Sequence, residues 1–253
     1  MSLLAQRSRR LHTWAIAVAS LLALAAFAWP FVIPATGLDA ASAAPVVAFA
    51  LIPALVVAVS LVIDGSLASS QSIALLGVLA AVGSIVRIST VGLAGVETIF
   101  IVLILAGRVL GARFAFLLGL ITVAVSSVIM GSIGPWTPFQ MFACAWVGAG
   151  AGLLGGKSLR GWRELTLLAV YGFIASYFFG ALMNLWFWPF AVGADTSISY
   201  QAHASALSNL SRFGLYTLIT STVTWDTVRA VTTVIGIAAV GPYVLRALRR
   251  TRA

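Results

Sequence analysis

Side chains able to do acid, base, nucleophilic or metal chemistry are scarce in this 253-residue chain. The two histidines, His12 and His203, fall in different connecting segments, and the one cysteine, Cys144, sits inside an apolar stretch. A lone cysteine forms neither a disulfide within the chain nor a cysteine-based metal site. Two segments imitate catalytic motifs. Gly152-Leu153-Leu154-Gly155-Gly156-Lys157-Ser158 has the look of a phosphate-binding loop. That loop needs a glycine where Ala151 stands, and a strand rather than an apolar helix before it. Lys157 reads instead as a cationic anchor at a helix end, so any ATP hydrolysis must come from a partner. Gly131-Ser132-Ile133-Gly134 sets a serine between glycines, but no histidine lies in an apolar segment to activate it. No catalytic residue, metal site or cofactor is assigned, and the chain is not read as an enzyme.

What remains is chemistry of binding. Gln140 and Asn184 are amides within apolar stretches, where each needs a hydrogen-bond partner from a neighbouring helix or from a ligand. Trp136 lies one turn before Gln140, in Gly134-Pro135-Trp136-Thr137-Pro138-Phe139-Gln140. Gly148, Gly150 and Gly152 remove bulk further along. Asn184 opens Asn184-Leu185-Trp186-Phe187-Trp188, and Tyr177 lies seven residues earlier on roughly the same helical face. The tryptophans of this run are either interfacial anchors or, with Trp186, part of a pocket. Arg87 and Glu97 are charges at apolar-segment edges that pair with each other or meet a ligand; Asp226 and Arg229 are three apart and close enough to pair. The candidate substrate-binding set is Arg87, Glu97, Trp136, Gln140, Tyr177, Asn184 and Trp186.

These residues have to be positioned by membrane helices. The chain is 61% hydrophobic and 8% charged, with a mean hydropathy of +1.08, a composition that would leave large apolar surfaces in water. Eight apolar runs approach the ~20 residues that cross a ~30 Å hydrocarbon core. They span about 14–34, 45–63, 72–86, 95–105, 115–133, 138–154, 165–190 and 228–245. None alternates as a barrel strand does. The first run also has the charge pattern of a secretory signal, but its length favours an uncleaved helix. The net charge of +9 comes from basic residues at the ends of apolar runs, not from a basic stripe with interleaved aromatics, which favours a membrane over nucleic acid. With the N-terminus in the cytoplasm, twelve basic residues fall on the inner side and only Arg87, Arg212 and Arg229 on the outer. The positive-inside rule thus predicts eight helices with both termini cytoplasmic, and the membrane expected is the plasma membrane. The Ser/Thr-rich stretch 191–227 is expected as a long outer loop, either plain connection or lid.

Small residues stud the third run at Ala74, Gly77, Ala80, Ala81 and Ser84. Pairs four apart, Gly77 with Ala81 and Ala80 with Ser84, place small side chains where another helix can approach closely. This helix, the block from Gly134-Pro135-Trp136 to Gly156 and the six-helix core over roughly 71–250 resemble the substrate-binding S component of energy-coupling factor (ECF) transporters, importers of vitamins. The resemblance implies an all-α six-helix bundle over 67–253, preceded by two extra transmembrane helices in 1–66. It implies a vitamin site near the outer surface around Arg87–Glu97, Trp136–Gln140 and Asn184–Trp186. Cobalamin is favoured, with riboflavin or another vitamin left open. The partners implied are a transmembrane T component, docking at Ala74, Gly77, Ala80, Ala81 and Ser84, and two ATP-binding subunits. The alternative is a self-sufficient proton-coupled transporter in which Glu97 or Asp226 carries the proton, although no inverted repeat is evident.

Overall fold

The computed structural model of the chain describes residues 3–32, 46–52, 69–91, 93, 95–156, 158–193, 196–202 and 204–251. These residues form helices and no strand. We number the helices α1 (Leu3–Phe27), α2 (Trp29–Val32), α3 (Ser70–Ser89), α4 (Ile99–Leu110), α5 (Ala112–Ile129), α6 (Thr137–Leu153), α7 (Trp162–Ala191), α8 (Ala206–Thr217) and α9 (Thr227–Arg250). Leu218–Asp226 is a π-helical segment that joins α8 to α9 without a break. The predicted helix at 45–63 lies largely outside the described residues.

Four helices are long and apolar enough to cross a membrane: Ser70–Ser89, Ala112–Ile129, Trp162–Ala191 and the continuous Ala206–Arg250. Shorter apolar helices run over Ile16–Phe27 and Ile99–Leu110. The last long helix corrects the expected outer loop. Only the first part of 191–227 is a connection; from Ser205, whose hydroxyl caps the Ser208 N–H, the chain is helical. At 45 residues and 1.5 Å per residue it is about 68 Å long, so hydrocarbon of ~30 Å can hold only part of it.

Local chemistry sets the breaks between helices. Ser69 caps α3 by accepting from the Ser72 N–H. Gly111 separates α4 from α5 with φ 95°, a backbone that favours glycine. Pro138 occupies the first turn of α6, where its missing N–H costs nothing.

Helix α6 is the centre of the bundle, packed against α4, α5 and α7. A Cβ on Gly148 would press on the Ala115 carbonyl 2.8 Å away, and one on Gly107 would strike the Gly148 carbonyl. One on Gly152 would meet the backbone of Ala112. The expectation that Gly148 and Gly152 open a pocket is therefore corrected: they let helix backbones touch. Gly150 makes room for the Tyr171 hydroxyl, which donates to the Val147 carbonyl.

The N-terminal helix lies on this core. Ala19, Ala23 and Phe27 are buried, Trp146 Nε1 donates to Ser20 Oγ at 3.0 Å, and the Phe27 ring meets Phe139 edge-on at 4.9 Å. The connection after α7 folds back over the same end. Trp188 Nε1 donates to the Ile198 carbonyl and Tyr200 Oη to that of Pro30. Burial pushes the Tyr200 phenol up from its ordinary range, which keeps it a neutral donor.

At the opposite end, Gln71 Nε2 donates to the Thr251 carbonyl at 3.1 Å, which brings the start of α3 to the end of α9. Arg108 and Arg249 converge there on Glu164: Arg108 Nε lies 2.8 Å from Oε1, and Arg249 Nη2 lies 2.6 Å from Oε2. Arg108 also donates to the Gly155 and Gly156 carbonyls. This end gathers Arg160, Arg163, Arg246 and Arg250 as well, and is the basic end of the molecule.

Candidate functional site

Arg87 occupies the last turn of α3, near the non-basic end, and is buried. Helix α3 reaches this position because Gly83 lets it close on α5, where a Cβ would meet the Thr122 side chain at 2.9 Å. The guanidinium then meets Ser126 and the first turn of α6. Nη1 donates to Ser126 Oγ at 2.7 Å and Nη2 to Gln140 Oε1 at 2.8 Å, with Ser127 Oγ at 3.5 Å. Ser126 is itself anchored, donating to the Thr122 carbonyl. No carboxylate lies within 4.0 Å of Arg87 among the described residues. The buried cation has only neutral partners.

Glu97 does not pair with Arg87. The segment 95–98 before α4 is tied back to α3 by Thr98 Oγ1, which donates to the Val86 carbonyl. It delivers Glu97 to Arg229, Oε2 to Nε 3.8 Å. Arg229 is in turn bound by Asp226, Nη1 to Oδ1 2.6 Å, and donates to the Ser176 carbonyl at 3.2 Å. Its guanidinium lies 4.9 Å from the Phe179 ring centre. Asp226 is fully buried and also accepts from Ser221 Oγ at 3.0 Å. Space for its carboxylate comes from Gly180 on α7, where a Cβ would collide with it. Thr98, next to Glu97, bonds the carbonyl of Val86, next to Arg87, so the two clusters meet at the end of α3.

The other candidates separate. Tyr177 Oη hydrogen-bonds Thr227 Oγ1 at 2.9 Å, beside the triad. Asn184 lies one turn beyond Gly180, on the face turned to Asp226, and its Nδ2 is buried with no hydrogen-bond partner. Trp186, two residues on, faces elsewhere. Its ring packs with Phe139, Phe190 and Trp29, at 5.4, 5.4 and 6.2 Å between centres. The Nε1 groups of both Trp186 and Trp29 are buried without partners. Trp136 is half-exposed, its ring lying over Gly134. The set therefore divides into Arg87 with Gln140, Glu97 and Tyr177 at the start of α9, Asn184 further along α7, and an aromatic nest around Trp186.

Ser126, Ser127 and Ser221 are functional neighbours that sequence reasoning misses. Serines in apolar helices carry the signal, since each needs an oxygen or nitrogen partner in lipid. Glu164 is missed as well, although an acid in so basic a neighbourhood stands out.

The small-residue helix divides too. Ala80 and Ser84 are buried against the bundle, and Ser84 Oγ donates to the Thr122 carbonyl. Ala74, Gly77 and Ala81 are exposed, flanked by exposed Ile73 and Val78, and a Cβ on Gly77 would meet nothing within 4 Å.

The site can hold a polar or anionic group. No three metal-binding side chains cluster among the described residues. Comparison with protein-family models, curated proteins and solved structures yields no match.

Proposed function

We propose that this chain is the substrate-binding membrane subunit of an ECF-type importer. It would take a vitamin-sized ligand from the outer face for uptake driven by a T component and two ATP-binding subunits. The observation that carries the reading is Arg87, a buried guanidinium held by Ser126 and Gln140 with no carboxylate beside it among the described residues. An ionised side chain within a membrane bundle is costly and marks a ligand pathway more often than a structural joint. Here it favours a ligand with an anionic or strongly accepting group. The unpartnered Nδ2 of Asn184 supplies a second donor in the same half of the bundle.

Two further features support the reading. The exposed strip of Ala74, Gly77 and Ala81 suits close approach by a partner helix. The gathering of basic residues at one end orients the site outward under the positive-inside rule. Eight spans with cytoplasmic termini belong to this proposal.

The test is ligand binding by the purified chain in detergent, against a panel of water-soluble vitamins that includes cobalamin and riboflavin. One member should raise the melting temperature of the wild type. Arg87→Gln should bind it roughly 10- to 100-fold more weakly, since a hydrogen bond to a charged group is worth ~1.5–3 kcal/mol. Wild-type affinity in a well-folded Arg87→Gln protein would place the site elsewhere. The buried triad Glu97–Arg229–Asp226 favours a second reading, a proton-coupled carrier working alone.

A further inference from the structure

At the basic end, the first turn of α7 and the last turns of α9 enclose a cleft of about 400 Å³. This volume lies within the ~300–1,000 Å³ usual for small-ligand sites. Leu165, Pro242 and Leu245 make an apolar floor, and Arg246, Arg249 and Arg250 stand around it. Arg249 is committed to Glu164, whose carboxylate also binds Arg108. Glu164 thus already has two cations on it. Arg246 and Arg250 are exposed and make no hydrogen bond or ion pair with any described residue. The first N–H groups of α7 have no side-chain cap, because the residue before them is Gly161, which lines the same cleft.

The surroundings fix the level of the cleft in a bilayer. Trp162 and Tyr243, on the two helices that form it, are each 71% exposed, and such rings collect at the headgroup boundary. Cations at the rim, an apolar floor and rings at headgroup level together match a phosphodiester joined to acyl chains. An acidic protein segment would use the arginines but not the apolar floor.

We propose that this cleft binds the phosphate headgroup of an anionic phospholipid, with Arg246 and Arg250 as its cationic ligands. The basic end would face the cytoplasmic leaflet, where anionic lipids lie. The site is separate from the Arg87 region and does not depend on the substrate reading.

The full chain, purified in a neutral detergent, is titrated with phosphatidylglycerol, phosphatidylcholine or inorganic phosphate, and bound adducts are counted by native mass spectrometry. Phosphatidylglycerol should bind at least about ten-fold more tightly than phosphatidylcholine, each surface arginine contributing several-fold. The double variant Arg246→Gln/Arg250→Gln should lose that preference, whereas Arg163→Gln, at the same end but outside the cleft, should change it less than about two-fold. Equal affinity for the two lipids, or a preference unchanged in the double variant, overturns the proposal. Phosphate retained as tightly as phosphatidylglycerol would mean a site for free anions and would also overturn it. Should the double variant melt well below the wild type, the wild-type lipid comparison and the single variant Arg246→Gln decide the question in the same way.

Discussion

A guanidinium among hydroxyls and an amide recovers only part of the hydration it gives up. Arg87 is in that position, while Arg229 is balanced by two carboxylates and a carbonyl. Sequence alone could name both arginines as notable but could not separate their roles. Arg87 and Glu97 are ten residues apart, and only the placement of 95–98 before α4 decides that Glu97 reaches Arg229. The pairing of Asp226 with Arg229 was legible, because three residues on a helix place two side chains on one face. Gly180 is the least conspicuous member of this region and the most restrictive. A Cβ there falls on the Asp226 carboxylate, so Gly180→Ala must move α7 or displace the acid. We expect a loss of ~1–3 kcal/mol, the usual cost of overpacking a filled interior, read as a lower melting temperature. A Gly180→Ala protein as stable as the wild type would mean that this contact has slack and that the buried triad is not held in one geometry.

Helix periodicity and length made the runs behind α3, α5, α6 and α7 readable from the sequence, since the hydrocarbon core demands long apolar stretches. Helix α8 and the π-helical segment were hidden. Their composition is Ser/Thr-rich, and the apolar residues they carry, Leu207, Leu210, Ile219 and Val223, are exposed rather than gathered on a core-facing stripe. The cap at Ser205 was the only local sign. Glycines misled for a related reason. A glycine that opens a pocket and one that lets two backbones touch are the same letter, and only the opposing Ala115 tells which Gly148 is. The small-residue helix shows how such ambiguity is tested. Gly77→Leu adds bulk where nothing stands within 4 Å, so the melting temperature should hold while copurification with a T component falls. Ala80→Leu adds bulk on the buried face and should cost ~1–3 kcal/mol of stability. Gly77→Leu protein that copurifies at wild-type yield would remove the docking role from this face.

At the scale of the whole molecule, charge is sorted by end. Arg108, Glu164 and Arg249 knit the basic end together, and towards the other end Arg87, Asp226 and Arg229 are buried. This sorting predicts that cysteines introduced at Ser158 and Thr251 are labelled only from the cytoplasm, and one at Ser132 only from outside. Labelling of the Ser132 and Ser158 positions from the same side would break the topology. The proposed importer subunit would bind its ligand and depend on partners for accumulation. Uptake into proteoliposomes examines that dependence without intermediaries. The labelled vitamin that the binding panel identifies is offered to the chain alone under a proton gradient, and to the chain with a T component, ATP-binding subunits and ATP. Binding without accumulation is expected for the chain alone, and accumulation once partners and ATP are present. Concentrative uptake by the chain alone, abolished by Glu97→Gln or Asp226→Asn, would contradict the importer reading and leave a proton-coupled carrier in its place.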